Sequence, residues 1–231
     1  MVLRSGDLGA AELSGRISYD GPAVKQTLSV EKKHQGACGA SVDSPVLIAD
    51  AHGNLENAVV ILKSKNGGPL ENSKPGPSSQ TDSVKLTLDQ KNCRFDPHVA
   101  VVTAGGAVEI SNTDPMAHDV RAFYGSKMIF QFEMDSGDPA VSKAFIDPGV
   151  YVIRCGLHKW MHAYVIAVTH QYFAVTSADG SFLITGVPEG DYQARVWHEK
   201  LGEAVIPVTF AGGKASLDYT FSALDKPPTV S

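Results

Sequence analysis

Three residues carry the clearest chemistry in this sequence: Cys155, His158 and Met161, in Cys-Gly-Leu-His-Lys-Trp-Met. A thiolate is soft, an imidazole nitrogen borderline, and a thioether weak. Together they make most of a copper electron-transfer site, which needs one further imidazole. They belong to a stretch, residues 151–168, that reads as strand, tight loop, strand. Tyr151, Ile153 and Cys155 share one face of its first strand. His162 follows Met161 directly, so on an extended strand the two point opposite ways, and only one should join a site with Cys155.

A second imidazole has to come from another part of the fold, because one short loop cannot close a trigonal set. His118 is the best candidate, in Ile-Ser-Asn112-Thr-Asp-Pro-Met-Ala-His118-Asp119-Val. It follows a strand over residues 107–111, which itself follows a turn at Gly105 and Gly106. A further strand, Phe95-x-Pro97-x-Val99-x-Val101, precedes that turn.

This order of Phe-x-Pro, strand, Asn, His, a long gap and Cys-x-x-His-x-x-Met resembles the cupredoxins, the plastocyanin and amicyanin group. The loop spacing is closer to amicyanin. The resemblance covers roughly residues 88–169 and implies a Greek-key β-sandwich with one type 1 (blue) copper ion cycling between Cu(I) and Cu(II). It implies that Cys155, His118 and His158 form a trigonal plane and that Met161 is the weak axial ligand. Asn112 and Asp119 flank the His118 loop and are candidates to hydrogen-bond the ligand loops together. Many plastocyanin-like proteins carry Asn directly after this His, so Asp119 is a departure. His162 is the alternative to Met161, a harder ligand that would give a red or colourless centre. Trp160 is a candidate contact for a redox partner, or simply a cap on the loop. Zinc accepts Cys and His but not readily Met, and a binuclear copper site would want a second thiolate in the loop.

The remaining histidines read as bystanders. His98 lies on the opposite face from Phe95, Pro97 and Val99, which makes it a surface or interdomain residue. His198 ends a strand, and His34, His52 and His170 sit in loops with no partner spacing.

Composition narrows the class. The net charge of −5 and pI near 5.9 argue against nucleic acid as a partner. No apolar run is long enough to span a bilayer. If Cys155 holds a metal, Cys38 and Cys93 remain, and an even remainder in a loop-rich β-protein suggests one disulfide and an extracytoplasmic, periplasmic setting. The first residues contain no signal-peptide apolar region, so the chain is read as a mature form.

The chain holds no long helical period. Short strands about ten residues apart, with turns between them, predict an all-β protein of sandwich type. Residues 46–50 and 58–63 read as apolar strands, and Gly, Pro and Ser dominate residues 67–83, a linker. After residue 171 a run of hairpins begins, closed by Asp179-Gly180 and Pro188-Glu-Gly190-Asp. It is similar to the second half of a carboxypeptidase-regulatory-like, transthyretin-type (prealbumin-like) sandwich. The first half of that family opens with Gly-x-Ile and later Ala-x-Val-x-Leu, and this chain has both early, at Gly15–Ile17 and Ala58–Leu62. The expected arrangement is a discontinuous sandwich of residues 12–66 and 171–222, with the copper module at 84–169 inserted into it.

The functional expectation is a mononuclear copper protein that carries single electrons between redox partner proteins. The alternative is a copper-delivery or envelope-interaction module. An enzyme with an open copper position is disfavoured, because four ligands are already available and no general base lies near them.

Overall fold

The structure, a computed structural model, describes residues 11–22, 26–68, 70 and 86–223. Most of the expected linker, and the tail after residue 223, lie outside the described residues. The described residues form an all-β fold with one single-turn α-helix, Gln35–Cys38.

Two pairs of sheets account for most of it. In the first pair, a five-stranded sheet runs in the spatial order Lys127–Met134, His118–Tyr124, Gly149–Cys155, His162–Val168, Val99–Thr103. A four-stranded sheet packs against it in the order Val141–Ala144, Ala107–Asn112, Thr87–Lys91, Arg94–Asp96. Their inward side chains form one core that includes Leu88, Phe95, Ile110, Val120, Phe145 and Ile153. The turn at Gly105 needs glycine, since its φ of 84° is costly for any residue with a Cβ.

In the second pair, Val59–Ser64 lies between Phe173–Val175 and Gly190–His198, with Gly202–Phe210 beyond. The facing sheet centres on Ala11–Tyr19, which pairs with Ser181–Val187, Lys214–Ser216 and Tyr219–Phe221. The chain thus leaves this sandwich after Ser64 and re-enters it at Phe173. Leu13, Ile17, Val60, Leu62, Phe182 and Val196 are among its core residues.

Three strands are buried on both faces, which is why they read as unbroken apolar runs rather than as alternation. In Val59-Val60-Ile61-Leu62, Val60 and Leu62 enter the second core while Val59 and Ile61 face outward. In Val99-Ala100-Val101-Val102, Ala100 and Val102 enter the first core, and Val99 and Val101 face outward. Ile166 and Val168 do the same on the neighbouring strand. The outward residues meet, with Phe173 and Trp197, in an apolar seam that joins the two sandwiches. Each fully buried Val or Ile there contributes about 1.5–3 kcal/mol relative to exposure.

Two expectations need correction. Residues 46–50 do not form a strand; Pro45 precedes them, and their only ladder contact is an isolated bridge from Ala49 to Leu55. The Asp50 carboxylate instead accepts the backbone N–H groups of His52 and Asn54, which bends the chain into a turn. The segment 32–44 around His34, read as loop, also holds regular structure. It holds a 3-10 turn at Lys32–His34, the helical turn Gln35–Cys38, and the strand Ser41–Asp43, which pairs with Thr27–Ser29. A disulfide from Cys38 to Cys93 fastens this flap to the first sandwich.

Candidate metal centre

The fold brings Cys155, His118 and His158 together at one end of the five-stranded sheet. Cys155 closes the strand Gly149–Cys155, and His118 opens the adjacent antiparallel strand. His158 lies in the loop that returns to His162–Val168. Cys155 Sγ is 3.6 Å from His118 Nδ1 and 3.4 Å from His158 Nδ1, and the two Nδ1 atoms are 3.0 Å apart. All three side chains are buried.

The loop is short and internally bonded. Cys155 N–H donates to the Met161 carbonyl at 3.1 Å, and Met161 N–H donates to the His158 carbonyl at 2.9 Å. Met161 is buried in the same core as Cys155. His162 turns to the opposite face, where its Nε2 meets Glu199 Oε2 at 3.2 Å.

The two ligand loops are joined through backbone rather than through the Asp119 side chain. Gly156 N–H donates to the Asp119 carbonyl at 2.8 Å. A Cβ at Gly156 would meet the Asp119 carboxylate and the Arg121 guanidinium, which would have to move aside. The Asp119 side chain accepts hydrogen bonds from Arg121 and Gln131. Asn112 braces the His118 loop: its Nδ2 donates to the carbonyls of Met116 at 2.8 Å and Met134 at 3.0 Å, and its Oδ1 accepts Asp114 N–H at 3.1 Å.

Sequence reasoning missed two residues. Asp114 Oδ2 accepts from His118 Nε2 at 3.1 Å and from Cys93 N–H at 2.9 Å. An ionised carboxylate only accepts, so Asp114 holds a proton on His118 Nε2 and leaves Nδ1 as the nitrogen that would release its proton and bind a metal. Its signal was present as a carboxylate four residues before His118. The second is His34, whose Nδ1 lies 3.3 Å from His158 Nε2. Its ring and that of Trp160 pack on His158, with centroids 4.3 and 5.1 Å away. No local pattern marks His34, because the disulfide-tied flap delivers it. Trp160 Nε1 donates to the Cys93 carbonyl at 3.1 Å, so this ring caps the loop.

The electrostatics favour a thiolate. Burial alone would raise the Cys155 pKa, but hydrogen bonds from His118 and His158 outweigh it and bring it down to about 6. Burial would lower His118, but bonding to Asp114 and Cys155 raises it to about 9. The donor set fits one soft-to-borderline transition ion. The three donor atoms lie close enough together for all of them to reach one ion. Exchange of the shared proton for a cation removes the need for an imidazolium there.

No protein-family model matches this sequence, and no curated protein does. Among solved structures, the chain is similar to a purple cupredoxin from Nitrosopumilus maritimus, at 20% identity and a TM-score of 0.32 over 36% of this chain and 98% of that one. It is similar to amicyanin from Paracoccus versutus at 20% identity and a TM-score of 0.33, over 47% and 96%. A copper-containing nitrite reductase from Thermus scotoductus matches at 20% identity and 0.34, over 41% and 25%. Likenesses at these scores carry no weight for function, and the reading below rests on the side chains.

Proposed function

We propose that this chain is a mononuclear type 1 copper protein that passes single electrons between redox partner proteins outside the cytoplasm. The observation that carries this is the buried triangle of Cys155 Sγ, His118 Nδ1 and His158 Nδ1. Met161, buried in the same core as Cys155, would supply its thioether as a fourth, weaker donor in this reading. Bound copper would supply a one-electron couple; the rest is the work of the chain. Cys155 offers the thiolate through which the site couples to its strand. Asp114 fixes the His118 tautomer, and the loop bonds between Cys155, His158 and Met161 hold one geometry for both oxidation states. Apolar neighbours exclude water from the donors. His34 and Trp160 cover the His158 edge, so ligand exchange with a copper acceptor is obstructed, which counts against delivery as the main role. Leu157, exposed beside these ligands, is a contact for a docking partner. The Cys38–Cys93 disulfide supports an oxidising compartment.

We further propose that residues 12–66 and 171–222 form one discontinuous, carboxypeptidase-regulatory-like sandwich that accepts the copper module at 84–169 as an insertion. What supports this is the pairing of Val59–Ser64 with strands from after residue 172, and of Ala11–Tyr19 with Ser181–Val187.

The test is the visible and electron paramagnetic resonance spectrum of the Cu(II)-loaded chain. An intense thiolate-to-copper band with narrow hyperfine splitting is expected, absent in Cys155→Ser and only shifted in Met161→Ala. A weak band with wide splitting in the unsubstituted chain would overturn the type 1 assignment.

A further inference from the structure

A second cluster of ligating side chains lies at the polar end of the seam between the sandwiches. His162, Tyr164, Ile166 and Val168 alternate onto the seam face of their strand, and His98 precedes the parallel strand beside it, with Tyr164 N–H donating to the His98 carbonyl at 2.9 Å. Glu199 arrives from the second sandwich, two residues after the seam residue Trp197 and so on its side of the chain. Its two oxygens separate their tasks: Oε1 contacts His98 Nε2, and Oε2 lies 3.2 Å from His162 Nε2. One ligand atom from each of the three falls within 4.8 Å of the others.

The charge balance at this point is unusual. The Glu199 and His98 side chains are 6% and 4% exposed. Among the described residues, no Lys or Arg forms an ion pair with Glu199; its side-chain partners are the two imidazoles and the Tyr164 hydroxyl. A carboxylate withdrawn from water needs a positive charge beside it, from an imidazolium or from a metal ion. His98 Nδ1 is also buried without a hydrogen-bond partner. Two neutral imidazoles would satisfy the carboxylate as an acceptor and leave its charge uncompensated. A divalent cation held by two imidazole nitrogens and one carboxylate oxygen would supply that charge through the same three side chains.

We propose that His98, His162 and Glu199 form a second metal site, unlike the first in chemistry, that takes a divalent cation of zinc type and clamps the two sandwiches together. Two nitrogens and one oxygen suit Zn(II), which accepts His₂Glu sets with a fourth position for water. His162 is the most exposed of the three, at 24%, and marks the side from which that water would enter. Calcium and magnesium prefer sites made wholly of oxygen, and Cu(I) prefers sulfur. The inference does not rest on the copper reading.

Cobalt(II) is the probe, because it reports its ligands by colour. The metal-free full chain is titrated with CoCl₂, and bound cobalt is counted by elemental analysis after desalting. Two ions per chain are expected, with a thiolate-to-cobalt band from one only. Cys155→Ser keeps one ion and loses that band. Glu199→Gln and His98→Ala each keep the band and lose the other ion, which also shows that these variants fold. In the Cys155→Ser background, ZnCl₂ raises the melting temperature, and Glu199→Gln removes that rise. A single ion that carries the thiolate band and is lost in Cys155→Ser, or a second ion that survives both Glu199→Gln and His98→Ala, overturns the proposal; a single ion without that band, lost in Glu199→Gln, would overturn the first site's reading instead.

Discussion

The cluster around Cys155 and the cluster around Glu199 meet at adjacent residues, Met161 and His162, and draw opposite chemistry from them. Met161 faces the interior of one sandwich, where its neighbours are Cys155 and an apolar core. His162 faces the seam, where its neighbours are an imidazole and a carboxylate. The pleat alone separates them. The first cluster is built from two loops at one end of a single sheet, so its geometry is local to that sandwich, apart from the flap that brings His34. The second exists only while both sandwiches are docked. The thiol cluster is therefore held within one sandwich, and the carboxylate cluster depends on the docking of the two.

The sharpest way to break this comparison is to loosen the seam alone. Trp197 is buried among Val59, Ile61, Val99, Val101 and Ile166. Trp197→Ala should cost about 3–5 kcal/mol in denaturant unfolding. The copper spectrum of the folded variant should be unchanged, because no first-cluster residue touches the seam. A changed spectrum would show that the first site also depends on docking.

The converse change acts on the first cluster. Cys38→Ser/Cys93→Ser frees a flap whose anchors are 55 residues apart in sequence. Loss of the constraint should cost about 2–4 kcal/mol. It should also expose the His158 edge, read as faster copper removal by a chelator. His34→Ala should reproduce the faster removal with little loss of stability, which would separate the cover from the staple. If neither variant speeds removal, the flap does not seal the site.

A smaller effect tests tautomer control. Asp114→Asn keeps an oxygen but can present an N–H to His118 Nε2, and one neutral oxygen must serve both His118 and Cys93. Copper affinity, measured by competition with a chelator, should fall about 10–100-fold, as is usual when a residue that orients a ligand is lost. The position of the visible band should hardly move, because Cys155 is untouched. Equal affinity in the variant would remove Asp114 from the account.

How far these features were legible in the sequence follows from their range. Cys155, His158 and Met161 sit within one loop, so residue type and spacing suffice to bring them forward as a set. The strand order around them could be read from alternation and turns. His34 could not, since it meets His158 across 124 residues through a flap whose composition looks like loop. Glu199 could not either, because nothing local tells that its strand end faces His98 from another sandwich. The unbroken apolar runs at residues 59–62 and 99–102 did hold a signal: a strand without alternation must be covered twice. The strand expected at 46–50 shows the limit of that rule, because Pro45 and the Asp50 turn outweighed four apolar residues.

The smallest expected effect concerns the point where the chain passes from one sandwich to the other. His170 is buried there, its Nδ1 accepting Tyr172 N–H at 3.1 Å. Burial is the main cause that holds its pKa below the ordinary 6.5; a backbone hydrogen bond at Leu62 opposes it, and the charge of Lys63 adds to it. The unfolded chain therefore binds a proton at a pH where the folded chain does not, and stability rises with pH across that interval. The contribution is complete above about pH 6.5 and fades as the pH falls toward the folded pKa. His170→Asn keeps a side-chain acceptor for Tyr172 but cannot gain the proton. Its unfolding free energy should decline less between pH 6.5 and 5 than that of the unsubstituted chain. An identical slope would mean that the acid sensitivity of the junction lies in other groups, and that His170 serves there only as a hydrogen-bonded spacer.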